Sequence, residues 1–197
     1  MKDGKVKDPP VSYDKIYTYS DYLKFEFDYM VELIRGRIYK MIPGPNLRHQ
    51  SLSSNLFIQM APFFLDRSCR LFSAPTDVIL PIENRRNGNE HTVVQPDLCI
   101  FCDLSVLKER GAFGPPTLVI EILSPHTKKK DLQLKYDIYE EAGVQEYWIV
   151  MPKEELIEQF VLVESKYDRK GTFTIEDRIK SVAVIGLEVE LAAVFEL

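Results

Sequence analysis

The run Thr117-Leu118-Val119-Ile120-Glu121-Ile122-Leu123 restricts what this chain can fold into more than any other stretch. It is nearly all apolar, as a strand covered on both faces must be. Residues 130–141 then read as a helix that stops at Gly143, and Glu146-Tyr147-Trp148-Ile149-Val150 reads as a second strand. Strand, helix, strand is the unit that sets two parallel strands side by side through a right-handed crossover. An α/β or α+β protein is therefore expected.

The flanking sequence adds shorter elements. Thr18 caps a helix predicted to reach about Phe27, with Asp21 three residues on. Tyr29–Ile34 and Arg37–Met41 form a predicted hairpin around Arg35-Gly36, and Pro43-Gly44-Pro45 breaks the chain. From Arg48 to Leu65, Leu52, Leu56, Phe57, Met60, Phe63 and Phe64 recur at helical spacing, with a bend expected near Pro62. Strands are predicted at Cys69–Ser73, Asp77–Pro81 and Val93–Phe101. A polar loop runs from Asn84 to Asn89, and a second loop carries Gly111 and Gly114. A C-terminal hairpin, Leu156–Ser165 with Thr172–Asp177, is expected to turn near Lys170-Gly171. A last strand and tail follow from Val182 to Leu197. Residues 1–17 read as an arm that docks late or not at all, and residues 18–197 as one domain.

Composition bounds the class. The chain has 197 residues, 45% hydrophobic and 28% charged, which is ordinary for a globular protein. No run of eighteen apolar residues suggests a membrane span, and the polar N-terminus lacks a secretory apolar core, so a cytoplasmic location is expected. Three cysteines argue against a disulfide framework and for a reducing compartment. Cys99 and Cys102 form a C-x-x-C, but inside a predicted buried strand, which suits neither a redox motif nor zinc. The net charge of −5 counts against strong non-specific binding to DNA. Local basic candidates are Lys128-Lys129-Lys130 and the scatter Arg35, Arg37, Lys40 and Arg48.

Glu121 is a lone carboxylate in an apolar strand. An unpaired buried carboxylate costs several kcal/mol or shifts its pKa, so it needs a partner or a metal. Asp97 follows Pro96 at the start of another apolar run. Two such carboxylates suit a hard cation such as Mg²⁺, which takes one or two carboxylates and keeps several waters. The competing reading is that Asp97 caps a turn and Glu121 pairs with a lysine.

Several stretches together resemble one family. They are Pro96-Asp97, the run from Pro116 to Ser124, Asp131 with Lys135, Tyr139, and Ala142-Gly143-Val144-Gln145-Glu146-Tyr147-Trp148-Ile149-Val150. Upstream, Glu32–Tyr39 and His49-Gln50 fit it too, as does the ending Gly186–Leu191. All are similar to the Uma-two family of bacterial proteins, endonucleases with the restriction-endonuclease-like PD-(D/E)xK fold. The resemblance runs from about Thr18 to Leu197. It implies a central mixed sheet flanked by helices, with N- and C-terminal hairpins. It also implies Mg²⁺- or Mn²⁺-dependent hydrolysis of phosphodiester bonds in DNA, with Asp97 and Glu121 as metal ligands. Leu123 stands where the motif lysine belongs, so the resemblance transfers that role to Lys135 of the following helix. Lys135 and Asp131 share a helix face, and an ion pair between them is the plainer alternative.

Further candidates have both a functional and an ordinary reading. Glu32 is a third acidic residue near the metal, or a partner of Arg35 or Arg37. His49 is a phosphate contact or proton carrier, or a surface histidine. Ser124 offers an accessory hydrogen bond at the strand end, where sites form in open α/β sheets, and His126 is expected in solvent. Tyr136 and Tyr139 are assigned to helix packing. Trp148 is assigned to the core or to apolar surface for a homodimer. Two other functions compete with the nuclease. One is an inactive nucleic-acid-binding or scaffold protein that keeps the fold, and the other is a hydrolase of small phosphates.

Overall fold

The strand–helix–strand unit forms where its pattern places it. The structure is a computed structural model that describes residues 15–41, 46–84, 89–124 and 129–196, with only the backbone of residues 84 and 129–131. The strands are β1 (Val31–Ile34), β2 (Arg37–Lys40), β3 (Arg70–Ser73), β4 (Val78–Ile79), β5 (Val93–Val94), β6 (Leu98–Phe101), β7 (Leu107–Lys108), β8 (Gly111–Phe113), β9 (Leu118–Ile122), β10 (Glu146–Met151), β11 (Leu156–Val163), β12 (Lys166–Thr174), β13 (Arg178–Lys180) and β14 (Glu188–Glu190). The helices are α1 (Tyr19–Tyr22), α2 (Leu47–Met60), α3 (Lys129–Ala142) and α4 (Leu191–Phe195).

The mixed sheet that the resemblance implies is present, as two six-stranded mixed sheets. One is ordered β2-β1-β5-β4-β8-β7 and the other β12-β11-β10-β9-β6-β3, while β13 and β14 pair apart. In the second sheet β9 lies parallel to β10, with Glu121 opposite Ile149, and antiparallel to β6. All five residues of β9 are buried. Side chains alternate across a strand, so Leu118, Ile120 and Ile122 pack with Leu52, Leu56 and Met60 of α2, and Val119 packs with Ile138 and Tyr139 of α3. The same alternation turns Glu121 toward α3. Each aliphatic side chain buried here stabilises by roughly 1.5–3 kcal/mol.

Pro96 explains why the predicted strand 93–101 is two strands. It has no N–H for a ladder bond. The chain leaves the first sheet at Val94 and enters the second at Leu98, with Gln95-Pro96-Asp97 as the crossover.

Other boundaries also differ from expectation. The capping box at Thr18 and Asp21 forms, but α1 ends at Tyr22. Phe25, Phe27 and Tyr29 then alternate along the chain, and their rings meet at 5.2 Å for each successive pair, a spacing that a helix does not give. The loop carrying Gly111 holds β7 and β8; Gly111 has φ 146° and passes so close to Asp77 O that a Cβ would sit 2.6 Å from it. The C-terminal hairpin turns at Glu164-Ser165, both left-handed, and Gly171 lies inside β12. The expected last strand after Val182 is β14, the tail after it folds as α4, and β13 precedes both. Tyr17, at the end of the expected arm, is buried, and its N–H donates to Gly36 O. Met1–Asp14, Pro43-Gly44-Pro45, residues 85–88, His126 and Lys128 lie outside the described residues.

The cysteine reading also needs correction. Cys69 and Cys102 are joined in a disulfide. They flank the antiparallel pair Arg70–Phe101, so the register brings them face to face. Cys99 is free and buried, as expected of a core strand. Among the described residues no helix is long and apolar enough to cross a membrane.

Candidate active site

Four groups converge where the two sheets meet. Glu121 is buried, and its Oε1 accepts a hydrogen bond from Lys135 Nζ at 2.9 Å and from Tyr139 OH at 2.6 Å. Lys135 and Tyr139 lie four apart, on one face of α3. Lys135 Nζ also sits 3.0 Å from Glu32 Oε1, in the other sheet. The Gln95 N–H holds that same Glu32 oxygen at 2.9 Å. One ammonium thus ties a carboxylate of the first sheet to a carboxylate of the second.

Asp97 leaves the crossover beside them. Its Oδ2 accepts the Ile122 N–H at 2.7 Å, next to Glu121, and its Oδ1 lies 3.2 Å from His49 Nε2. His49 stands in the first turn of α2, where its N–H is capped by Asn46 Oδ1. Behind the crossover, Gln95 Nε2 donates to Asp77 Oδ1 at 2.8 Å, and Tyr22 OH donates to the same oxygen at 3.0 Å.

Burial pushes the Glu121 carboxyl up to about 7, opposed by the Lys135 ammonium and reinforced by the Asp97 and Glu32 charges. Burial works against the Lys135 charge, but Glu121 and Glu32 outweigh it and hold the ammonium above its ordinary range. For His49 burial again opposes the charge, and the Asp97 carboxylate prevails, raising its pKa. The Tyr139 phenol is driven well above its ordinary value by burial and by Glu121, so it remains a proton donor.

The sequence candidates therefore fall into place unevenly. Asp97, Glu121, Lys135, Glu32 and His49 are joined by these contacts. Glu32 pairs with Lys135 rather than with Arg35 or Arg37, because its side chain points into the seam between the sheets. Arg35 engages Glu141 instead. His49 is mostly buried against Asp97 rather than on the surface. Ser124 is half-buried just past β9. The Asp131 side chain lies outside the described residues. Leu123 packs on the α3 side of the sheet, at the place of the motif lysine. Trp148 is fully buried and offers no apolar surface; its Nε1 donates to Glu146 Oε1 at 2.6 Å. Two members were missed, Tyr139 and Gln95. Tyr139 could have been found from its place one turn after Lys135. Gln95 acts through its backbone N–H, which no side-chain pattern announces.

The donor set suits a hard cation. Asp97 and Glu121 are the two residues that would offer it carboxylate oxygens, the ligands such ions take together with water. Among the described residues no three His, Cys, Asp or Glu are grouped to hold a metal by themselves.

Comparison with known proteins bears on the fold and the family. The family model Uma2, described as "Putative restriction endonuclease", matches residues 18–193. A solved structure from Anabaena variabilis ATCC 29413, described as "a putative nuclease belonging to DUF820", superposes with a TM-score of 0.70 at 19% identity. The match covers 90% of this chain and 97% of that chain. This likeness shows a shared fold and agrees with the expected restriction-endonuclease-like α+β architecture. No curated protein matches.

Proposed function

The chain belongs to the Uma2 family, and on that premise we propose that it is a metal-dependent nuclease hydrolysing phosphodiester bonds of DNA. The observation that carries the reading is the Lys135 ammonium held 2.9 Å from buried Glu121, beside Asp97. Asp97 and Glu121 would hold Mg²⁺ or Mn²⁺. The bound ion would acidify a coordinated water and offset charge on the phosphate. Lys135 supplies the positive charge that the motif places two residues after the glutamate, here from α3 instead of β9. Kept protonated, it orients the attacking water or stabilises negative charge building at phosphorus. Glu32 steadies the ammonium from the opposite sheet. His49, bonded to Asp97, would contact a phosphate or carry the proton that the leaving oxygen needs.

One observation favours a second reading. The same ammonium closes an ion-paired network across the two sheets, as it would in a scaffold or nucleic-acid-binding protein without turnover. The deciding measurement is cleavage of plasmid and linear DNA with and without Mg²⁺ or Mn²⁺. Wild type is run beside Glu121→Ala and Lys135→Ala, with circular dichroism to check the fold. Cleavage that needs metal and falls at least about 100-fold in both variants supports the nuclease. A folded wild type that leaves DNA intact sinks it, and turnover of small phosphate esters alone would reassign the substrate.

A further inference from the structure

We propose that Tyr139 is a positioning residue of the metal site, its hydroxyl fixing which oxygen of Glu121 faces the cation. This rests on the reading of Asp97 and Glu121 as ligands of a divalent ion. Tyr139 is fully buried, with its ring edge-on to Tyr147 at 5.2 Å between centroids. Its hydroxyl reaches Glu121 Oε1 at 2.6 Å, within the range of a charge-assisted O–H···O⁻ bond. Lys135 donates to that same oxygen.

The carboxyl group of a glutamate turns about a broad, roughly two-fold torsion, so Glu121 does not set its own orientation. Lys135 cannot set it alone either. Its ammonium is shared with Glu32 at 3.0 Å and has a flexible stem that can settle toward either carboxylate. Tyr139 is a rigid ring in a packed site and cannot follow. Two donors saturate Oε1 and leave Oε2 to turn toward the ion. One face of α3 thus presents a fixed donor and a movable cation to one oxygen.

Tyr139→Phe deletes one oxygen and keeps the ring. Outer partners of metal ligands typically change affinity by about 10–100-fold when removed. Calorimetric titration with Mn²⁺ alone should show a loss in that range, and kcat at saturating metal should fall with KM for DNA unchanged. Tyr147→Phe is the packing control, because the Tyr147 hydroxyl is buried without a hydrogen-bond partner among the described residues. It should leave Mn²⁺ binding as in wild type. Circular dichroism checks that each variant is folded. Unchanged Mn²⁺ affinity in Tyr139→Phe, or an equal loss in Tyr147→Phe, overturns this inference while leaving the nuclease reading intact. A wild type that neither binds Mn²⁺ nor cleaves DNA overturns both.

Discussion

Glu121 and Glu146 are both buried carboxylates, and their surroundings set different fates for them. Burial lifts Glu121 from an ordinary 4.5 to about 7. A raised folded value means that its contribution to stability is complete below about 4.5 and is lost as pH climbs through about 7. Thermal melts of metal-free protein between about pH 5 and 8 should therefore fall more steeply for wild type than for Glu121→Gln; parallel curves would count against a titrating Glu121. Glu146 is wholly buried and accepts from Trp148, Gln159, Ser181 and the N–H groups of Val182 and Ala183, at 2.6–2.9 Å. Glu146→Ala would strand those donors at about 1–3 kcal/mol for each left unsatisfied. We predict a loss of at least about 3 kcal/mol in denaturant unfolding, and a loss below about 1 kcal/mol would show that water replaces the carboxylate. Glu121 was legible in the sequence because it interrupts an apolar run. Glu146 begins β10 and interrupts no apolar run, and three of its five donors, Ser181 and the N–H groups of Val182 and Ala183, come from a segment 35–37 positions away.

At the scale of elements, legibility followed length and period. β9, α3 and β10 form as their patterns predict, because burial on both faces and a helical stripe are strong signals over many residues. The two- and three-residue strands β7, β8 and β13 gave no comparable signal; β8 is set by its pairing with the distant β4, while β7 pairs only with β8 and β13 only with β14. The disulfide belongs to this class, since Cys69 and Cys102 are matched only by the register of β3 on β6. The bridge closes a separation of 33 residues. Chain entropy gives such a loop about 3–4 kcal/mol of stabilisation. Cys69→Ser should lower unfolding free energy by about that much under oxidising conditions and by nearly nothing under strong reductant. Equal stability of both proteins in both conditions would mean that the bridge does not form in solution.

For the whole molecule, the arrangement that the sequence did not disclose is the division into two sheets with the charged groups at their junction. Glu32 comes from one sheet, Glu121 from the other, and Asp97 from the three residues between them. Pro96 was visible as a motif letter, but its effect on sheet membership depends on which neighbours β5 and β6 find. That segment therefore behaves as a fixed length of chain. Adding one residue between Val94 and Leu98 would either displace Asp97 from the Ile122 N–H or invert the side-chain alternation of one strand, since one step of slip exchanges the two faces. An alanine inserted after Gln95 is thus expected to abolish metal binding and any cleavage even where a folded protein is recovered. The same insertion between Glu164 and Ser165, at a hairpin tip, should leave both unchanged. Among natural relatives, gaps and additions should gather at the hairpin tips and spare the three-residue crossover, a pattern of lengths rather than of residue identities.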